Sequence, residues 1–200
     1  MSVLELKDLK LLSIEDENGY SYIGGNQYWY PKEGFFQGGA CGATTASNVL
    51  AYILRMRPEL NTKAEYIEFM KKVYPYFTPS RIGLHAPWFL KGVKKFGADF
   101  GYPIAARCLK VPIWPFKHPS FEEAADFIGE SLKADAPVAF LALSSGGVKY
   151  IDKWHWTTII GIDEENRKIK ILDNNEIKWA ELGLWLGKSR LGGALITMLI

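Results

Sequence analysis

The chain has 200 residues, of which 48% are hydrophobic and 23% charged, with a formal net charge of +2. These values are typical of a globular protein, and the length fits a single domain over residues 1–200. Because there is no long run of Lys or Arg and the net charge is small, we expect no nucleic-acid partner.

We find no targeting or membrane signal in the sequence. The first residues lack a basic stretch followed by a continuous apolar segment, which a secretory signal would have. No run approaches the roughly 18 apolar residues that a membrane-spanning helix needs. We therefore expect a cytoplasmic protein without a membrane partner.

The cysteines and histidines are few and widely spaced. Cys41 and Cys108 are the two cysteines, and His85, His118 and His155 are the three histidines. Two cysteines cannot build a disulfide scaffold, and these residues show no paired spacing of zinc ligands. We expect no metal and no cofactor.

The predicted elements of the first half are mainly helical. Residues 1–36 are rich in aromatics, Gly and Pro and predict loops with short strands at best. Apolar residues at helical spacing predict helices over residues 41–56, 61–74 and 85–97. The Pro-rich stretch 108–120 predicts a loop or an edge segment.

Capping boxes mark two helix starts. Thr62 is followed three residues later by Glu65, and Ser120 is followed in the same way by Glu123. In such a pair each side chain binds the other residue's backbone N–H at the first turn of a helix. The second box predicts a fourth helix over residues 120–135.

The second half of the chain is predicted to form mainly β-strands. Buried or alternating apolar runs predict strands within residues 136–144, 154–163, 167–175 and 192–200. A short charged turn separates the second run from the third, which predicts a hairpin. Because helices come first and strands second, the predicted class is α+β and not a repeated βαβ unit.

Cys41 is the first candidate for chemistry. It lies where the glycine-rich stretch "QGGACG" meets the predicted helix at residue 41. A helix N-terminus and a nearby imidazolium both favour the thiolate form of a cysteine. Gly39 would let a substrate approach closely, and the Cys41 N–H would be free to bind an oxyanion.

His155 and Asp173 are the candidates to activate that thiol. In an antiparallel hairpin, residues equidistant from the turn face each other, and this places His155 opposite residues 173–175. Asp173 could hold the imidazole in position as the third member of a triad. Asn174 or Asn175 could do the same if the register differs by one residue.

The tryptophans on either side of His155 are the remaining candidates near this base. Trp154 and Trp156 are expected to line the substrate groove or to shield the histidine from water, and a role in packing alone is the alternative. Further groove walls are expected from residues 57–119, with Trp88 and Trp114 among their aromatics.

Four segments carry a resemblance to a known family. They are "QGGACGATTASNVLAYI", "LKADAPVAFLAL", "HWTTIIGID" and "IKILDNN". With them the chain resembles the papain-like cysteine peptidases, most similarly the bacterial branch that includes bacteriocin-processing leader peptidases. The resemblance implies a central N-terminal helix carrying the Cys, packed on a twisted antiparallel sheet that carries the His and Asp. It implies Cys41 as nucleophile, His155 as general base and acid, and Asp173 as the orienting residue.

The resemblance also implies a glutamine whose side-chain amide lines the oxyanion hole. Gln37, four residues before the cysteine, is the first candidate, and the more distant Gln27 is the second. The leader peptidases often have Asp before the Cys and Pro after the Gly. Here Ala40 and Ala43 stand at those positions, so a leader-peptide substrate does not follow.

The resulting hypothesis is a cysteine-dependent hydrolase of peptide or amide bonds that works through a thioester acyl-enzyme. Its partner would be a peptide or amide substrate, and neither a metal nor a cofactor would take part. Two alternatives remain open. The same residues suit an acyl transferase of the transglutaminase type, and a papain-like domain can also bind peptides without catalysis.

Overall fold

The computed structural model describes residues 3–56, 59–80 and 83–200. In chain order its strands and α-helices are β1 (Leu4–Glu5), β2 (Ser13–Glu15), β3 (Ser21–Ile23), α1 (Cys41–Ile53), α2 (Lys63–Val73), α3 (Ala86–Phe100), β4 (Ala105–Val111), α4 (Phe121–Lys133), β5 (Val138–Ala142), β6 (His155–Asp163), β7 (Lys168–Asp173), β8 (Glu176–Ala180), α5 (Leu182–Lys188) and β9 (Gly193–Leu199).

Seven strands of different lengths form one sheet, in which every described strand pairing is antiparallel. The order is β4–β9–β5–β6–β7–β8, and β1 pairs with the far end of β6. Strands β2 and β3 form a separate hairpin. Central strand β5 is buried at all five positions, as its continuous apolar run predicts. The predicted α+β class with an antiparallel sheet is confirmed.

Helix α1 packs on the centre of this sheet. It contacts β5, β6 and β9, and all its residues from Gly42 to Tyr52 are buried. Small side chains such as Ala43 and Ala46 let the helix lie close to the strands. The helix ends at Ile53, three residues earlier than predicted, because Arg55 takes a left-handed conformation with φ of +54°.

The other predicted helices are present with small changes. Both capping boxes form, at Thr62 for α2 and at Ser120 for α4. Helix α3 passes through Gly97 and ends at Phe100, because left-handed Gly101 terminates it. In the described part of the chain, none of the helices is long and apolar enough to cross a membrane.

Two elements are additional to the expectations. The stretch 108–120, predicted as a loop or an edge segment, contributes its first four residues to β4 at one edge of the sheet and otherwise forms loop and a 3₁₀ turn, Pro115–Lys117. Strand β8 and helix α5 are not predicted at all. Strand β8 lies at the opposite edge and is mostly exposed, and α5 has only seven residues, so both have weak apolar patterns.

Candidate active site

Cys41 is the first residue of α1, directly after a short 3₁₀ turn, Gln37–Gly39. The first α-helical hydrogen bond runs from the Thr44 N–H to the Ala40 carbonyl at 2.9 Å. The N–H groups of the first helical turn have no acceptor within a helix and give this end a positive potential. The half-buried thiol therefore lies where an anion is stabilised.

The side chains of His155 and Asp173 meet at the open end of the β6–β7 hairpin, away from its connecting turn. His155 begins β6 and Asp173 ends β7. The imidazole Nε2 lies 2.9 Å from the Asp173 Oδ1, and the two side chains are only 14% and 15% exposed. The acid predicted to orient the histidine is thus bonded to it.

A β-bulge in β6 makes this contact possible. Ile159 pairs with Ile171, but the next paired residue of β6 is Gly161, which pairs with Lys170. Ile160 is the extra residue, and its carbonyl accepts a hydrogen bond from the Leu6 N–H at 3.1 Å. A shift of one residue in register moves every following side chain to the other face of the sheet.

The pairing beyond the bulge sets which side chains share a face. Thr158 pairs with Leu172, so the next positions outward, Thr157 and Asp173, lie on one face. His155, two residues further, lies on that face too. Without the bulge, His155 and Asp173 would lie on opposite faces.

The surroundings of His155 favour its charged form. Burial alone would lower the pKa of this imidazole. Hydrogen bonds to Asp173 and to Cys41, together with the charges of both, outweigh burial and raise the pKa to about 10. Since Nε2 is bonded to Asp173, Nδ1 is the ring nitrogen left to face the sulfur of Cys41. The imidazole therefore lies between a carboxylate and a thiol, which is how a cysteine nucleophile is activated.

The two asparagines that were alternative orienting residues form a turn. Asn174 and Asn175 connect β7 to β8 with φ values of +48° and +70°, as in a type I′ turn. Asn174 donates to the Asp173 Oδ1 at 3.0 Å, and Asn175 donates to the carbonyls of Ile23 and Gly24. Their side chains thus support Asp173 and the N-terminal segment.

The two candidate glutamines have different surroundings. The side-chain amide of Gln37 donates to the carbonyls of Tyr28 and Tyr30, so it ties down its own loop. Gln27 is buried, and its Oε1 has no hydrogen-bond partner among the described residues. Gln27 and Cys41 line one small cavity, of which Gln37 is not part. Of the two glutamines, Gln27 is therefore the one that lies beside Cys41.

A groove of about 380 Å³ opens next to the thiol. Its walls are formed by Phe36, Gly38, Gly39, Cys41, Ser80, Gly83, Leu84, Trp154 and Trp156. At Gly39 a Cβ atom would lie 2.6 Å from the Phe36 ring, so this wall has no room for a side chain unless that exposed ring moves. Ser80, Gly83 and Leu84 come from the segment that was expected to form groove walls, and residues 81 and 82 lie outside the described part.

The tryptophans beside His155 differ in burial. Trp156 is 2% exposed, donates its Nε1–H to the Leu84 carbonyl at 2.7 Å and stacks on Phe89. Trp154 is half exposed, with its ring edge against His85. Both side chains line the groove, Trp156 as a buried wall residue and Trp154 as an exposed residue at its edge.

Other candidate residues lie apart from this site. Cys108 is half-buried in β4, and burial raises the pKa of its thiol. Trp88 and Trp114 are exposed and do not line the groove. Within the described residues, no three His, Cys, Asp or Glu side chains lie together as a metal site would require.

The chain is similar in structure, but not detectably in sequence family, to known proteins. No family model matches the chain, and no curated protein matches it. The similar solved structures include two peptidases. The peptidase domain of Streptococcus ComA, a bi-functional ABC transporter involved in a quorum sensing pathway, has 13% identity and a TM-score of 0.46 over 82% of this chain and 94% of that one. A double glycine motif protease from an AMS/PCAT transporter, in complex with its leader peptide, has 15% identity and a TM-score of 0.43 over 79% and 82%. At this identity, both similarities are similarities of fold.

Proposed function

We propose that the chain is a cysteine-dependent hydrolase of peptide or amide bonds, with Cys41, His155 and Asp173 as its triad. The supporting observation is the imidazole of His155, bonded to the Asp173 carboxylate at 2.9 Å and in contact with the Cys41 thiol. The resemblance of the sequence to papain-like peptidases adds to it.

In the acylation step, the Cys41 thiolate adds to the substrate carbonyl carbon while His155 carries its proton. The negative charge moves to the carbonyl oxygen, which the Cys41 N–H and the Gln27 side-chain amide stabilise. The tetrahedral intermediate then collapses. Its C–N bond breaks, the amine leaves with the proton from His155, and a thioester on Cys41 remains.

In the deacylation step, His155 accepts a proton from an attacking water. The hydroxide oxygen bonds to the thioester carbon, and the oxyanion forms again in the same place. When the C–S bond breaks, the carboxylic acid is released, and the sulfur and His155 return to their starting charges. Asp173 keeps the imidazole aligned in both steps and stabilises the imidazolium.

The groove suits a peptide chain on this site. Its glycines next to the nucleophile let a main chain approach closely, and its aromatic rim offers apolar contact. These features suit an extended peptide segment next to Cys41.

Acylation of Cys41 tests this function. p-Nitrophenyl acetate should give a burst of p-nitrophenol and an acetyl adduct on Cys41, located by mass spectrometry. His155→Ala should slow the burst roughly 10²- to 10⁴-fold, as expected for loss of a general acid–base group. Equal rates in both proteins, or an adduct on Cys108 instead, would overturn the proposal.

Peptide cleavage is the second arm of the test. A complex peptide mixture incubated with the wild type should gain new N-termini that a Cys41→Ala control does not produce. Adding a primary amine distinguishes hydrolysis from acyl transfer. We expect acids as the main products, and amide adducts in their place would show a transferase.

A further inference from the structure

The turn that carries Gln27 needs support from elsewhere in the chain. Gln27 lies fourteen residues before Cys41, in a separate 3₁₀ turn, Gln27–Trp29. A three-residue 3₁₀ turn has little stability of its own. The position of the Gln27 amide relative to the sulfur therefore depends on the groups that bind this turn.

Asn174 binds the turn and joins it to the triad. Its Oδ1 accepts from the Gln27 N–H at 3.0 Å, and its backbone carbonyl accepts from the Asn26 side chain at 3.2 Å. Its Nδ2 donates to the Asp173 Oδ1 at 3.0 Å. That same oxygen is bonded to His155 at 2.9 Å. The Asn174 side chain thus links the acid directly to the backbone of Gln27.

The backbone around Asn174 makes this link rigid. Asn174 and Asn175 both have positive φ in a two-residue hairpin turn, a conformation that asparagine adopts more readily than most residues. Asn175 adds bonds to the carbonyls of Ile23 and Gly24, just before the Gln27 turn. The turn between β7 and β8 therefore acts as a clamp on the N-terminal segment.

The geometry points to Asn174 as a positioning residue that aligns the Gln27 amide with the oxyanion while it holds Asp173 against His155, an inference that rests on the proposed function. Asn174 does not act on the substrate itself. Its effect should therefore appear in reactions that form an oxyanion and be weak in those that do not.

Two reagents for Cys41 separate these effects. Acylation by p-nitrophenyl acetate passes through an oxyanion, whereas alkylation by iodoacetamide needs only the thiolate. Asn174→Gly keeps the left-handed turn and removes both side-chain bonds. We expect it to lower the ratio of acylation rate to alkylation rate roughly 10- to 100-fold, the range for a misplaced or missing donor.

A matched control is available in the neighbouring hairpin. Asn166 lies in the β6–β7 turn and donates to the Asp163 carboxylate at 2.8 Å, so Asn166→Gly makes the same change away from the site. Its ratio should equal that of the wild type. Asn174→Asp keeps the acceptor for the Gln27 N–H, and its ratio should recover toward wild type even if both rates change.

Gln27→Ala completes the test. If Asn174 acts through Gln27, adding Asn174→Gly to Gln27→Ala should not lower the ratio further. An unchanged ratio in Asn174→Gly, or losses that multiply in the double variant, would overturn this role. A wild-type protein that is not acylated at Cys41 would overturn the proposed function and this role with it, so the two failures are distinguishable.

Discussion

The charge of Asp173 should control the ionisation of His155, and Asp173→Asn tests this. The substitution keeps the shape of the side chain and removes its negative charge. Burial lowers the pKa of His155, whereas Asp173 and Cys41 raise it, and the net result is a pKa of about 10. The hydrogen bond to Asp173 is the largest of the contributions that raise it. An opposite charge at this distance typically shifts a pKa by about 1–3 units, or roughly 1–4 kcal/mol. We therefore expect the His155 pKa to fall to roughly 7–9 in the variant.

NMR titration of the histidine Cε1–H signals measures this directly. The chain has three histidines, so His155→Gln suffices to assign the signal of His155. Asp152→Asn is a suitable control, because Asp152 lines a small cavity with His155 but is exposed, so its charge is screened by solvent. A midpoint near 10 in Asp173→Asn, or an equal fall in the control, would refute the reasoning.

The same shift predicts how stability depends on pH. A pKa above its unfolded value of 6.5 means that His155 stabilises the fold fully below about pH 6.5 and loses this contribution as pH rises toward 10. The free energy of unfolding should therefore fall by up to about 1.4 kcal/mol per pH unit across that window. Asp173→Asn should flatten this slope, and denaturant unfolding at several pH values measures it.

Two further predictions concern the glycines around the site. Gly24→Ala should lower the free energy of unfolding by about 1–3 kcal/mol, measured by denaturant unfolding, because Gly24 has φ of +62° and a Cβ there would lie 2.7 Å from Leu172. Exposed Gly19, with φ of +78° and open space around it, is the matched control and should cost less. Gly39→Val should slow acylation of Cys41 by bulky acyl esters more than its alkylation by iodoacetamide, because the added side chain would narrow the groove at Phe36. Equal slowing of both reagents would contradict that placement.

The start of α1 could be predicted from local sequence alone. Two glycines just before Cys41, and small apolar residues at helical spacing after it, indicate a helix that begins at Cys41, and it does begin there. The capping residues Thr62 and Ser120 predict their helices for the same reason. Each of these signals comes from side chains within a few residues of the backbone groups they bind.

The contact between His155 and Asp173 was predicted from a regular hairpin, without the β-bulge that the structure contains. Counting from a turn near residues 164–166 places them on one face, but the pairs next to the turn, such as Asp163 with Lys168, follow a register one residue longer. The bulge at Ile160 compensates for this difference. The carbonyl of Ile160 accepts a hydrogen bond from the N–H of Leu6, near β1. The sequence of β6 alone does not predict this contact.

The choice between the two glutamines could not be made from the sequence. Gln37 is nearer to Cys41 along the chain, so spacing favours it. Gln27 reaches the cavity because Asn174, 147 positions away, binds its backbone. Proximity in space that depends on such a distant partner is set by the packing of the whole fold.

The reactivity of Cys41 at mildly acidic pH is the most direct test of the account. In a Cys108→Ser background, Cys41 is the only thiol, and iodoacetamide incorporation can be followed by mass spectrometry. An ordinary thiol with a pKa of about 8.5 is less than about 1% thiolate at pH 6. With the imidazolium of His155 beside the sulfur, we expect alkylation at pH 6 to be at least about tenfold faster than in His155→Ala. Superimposable rates in the two proteins would contradict the central claim.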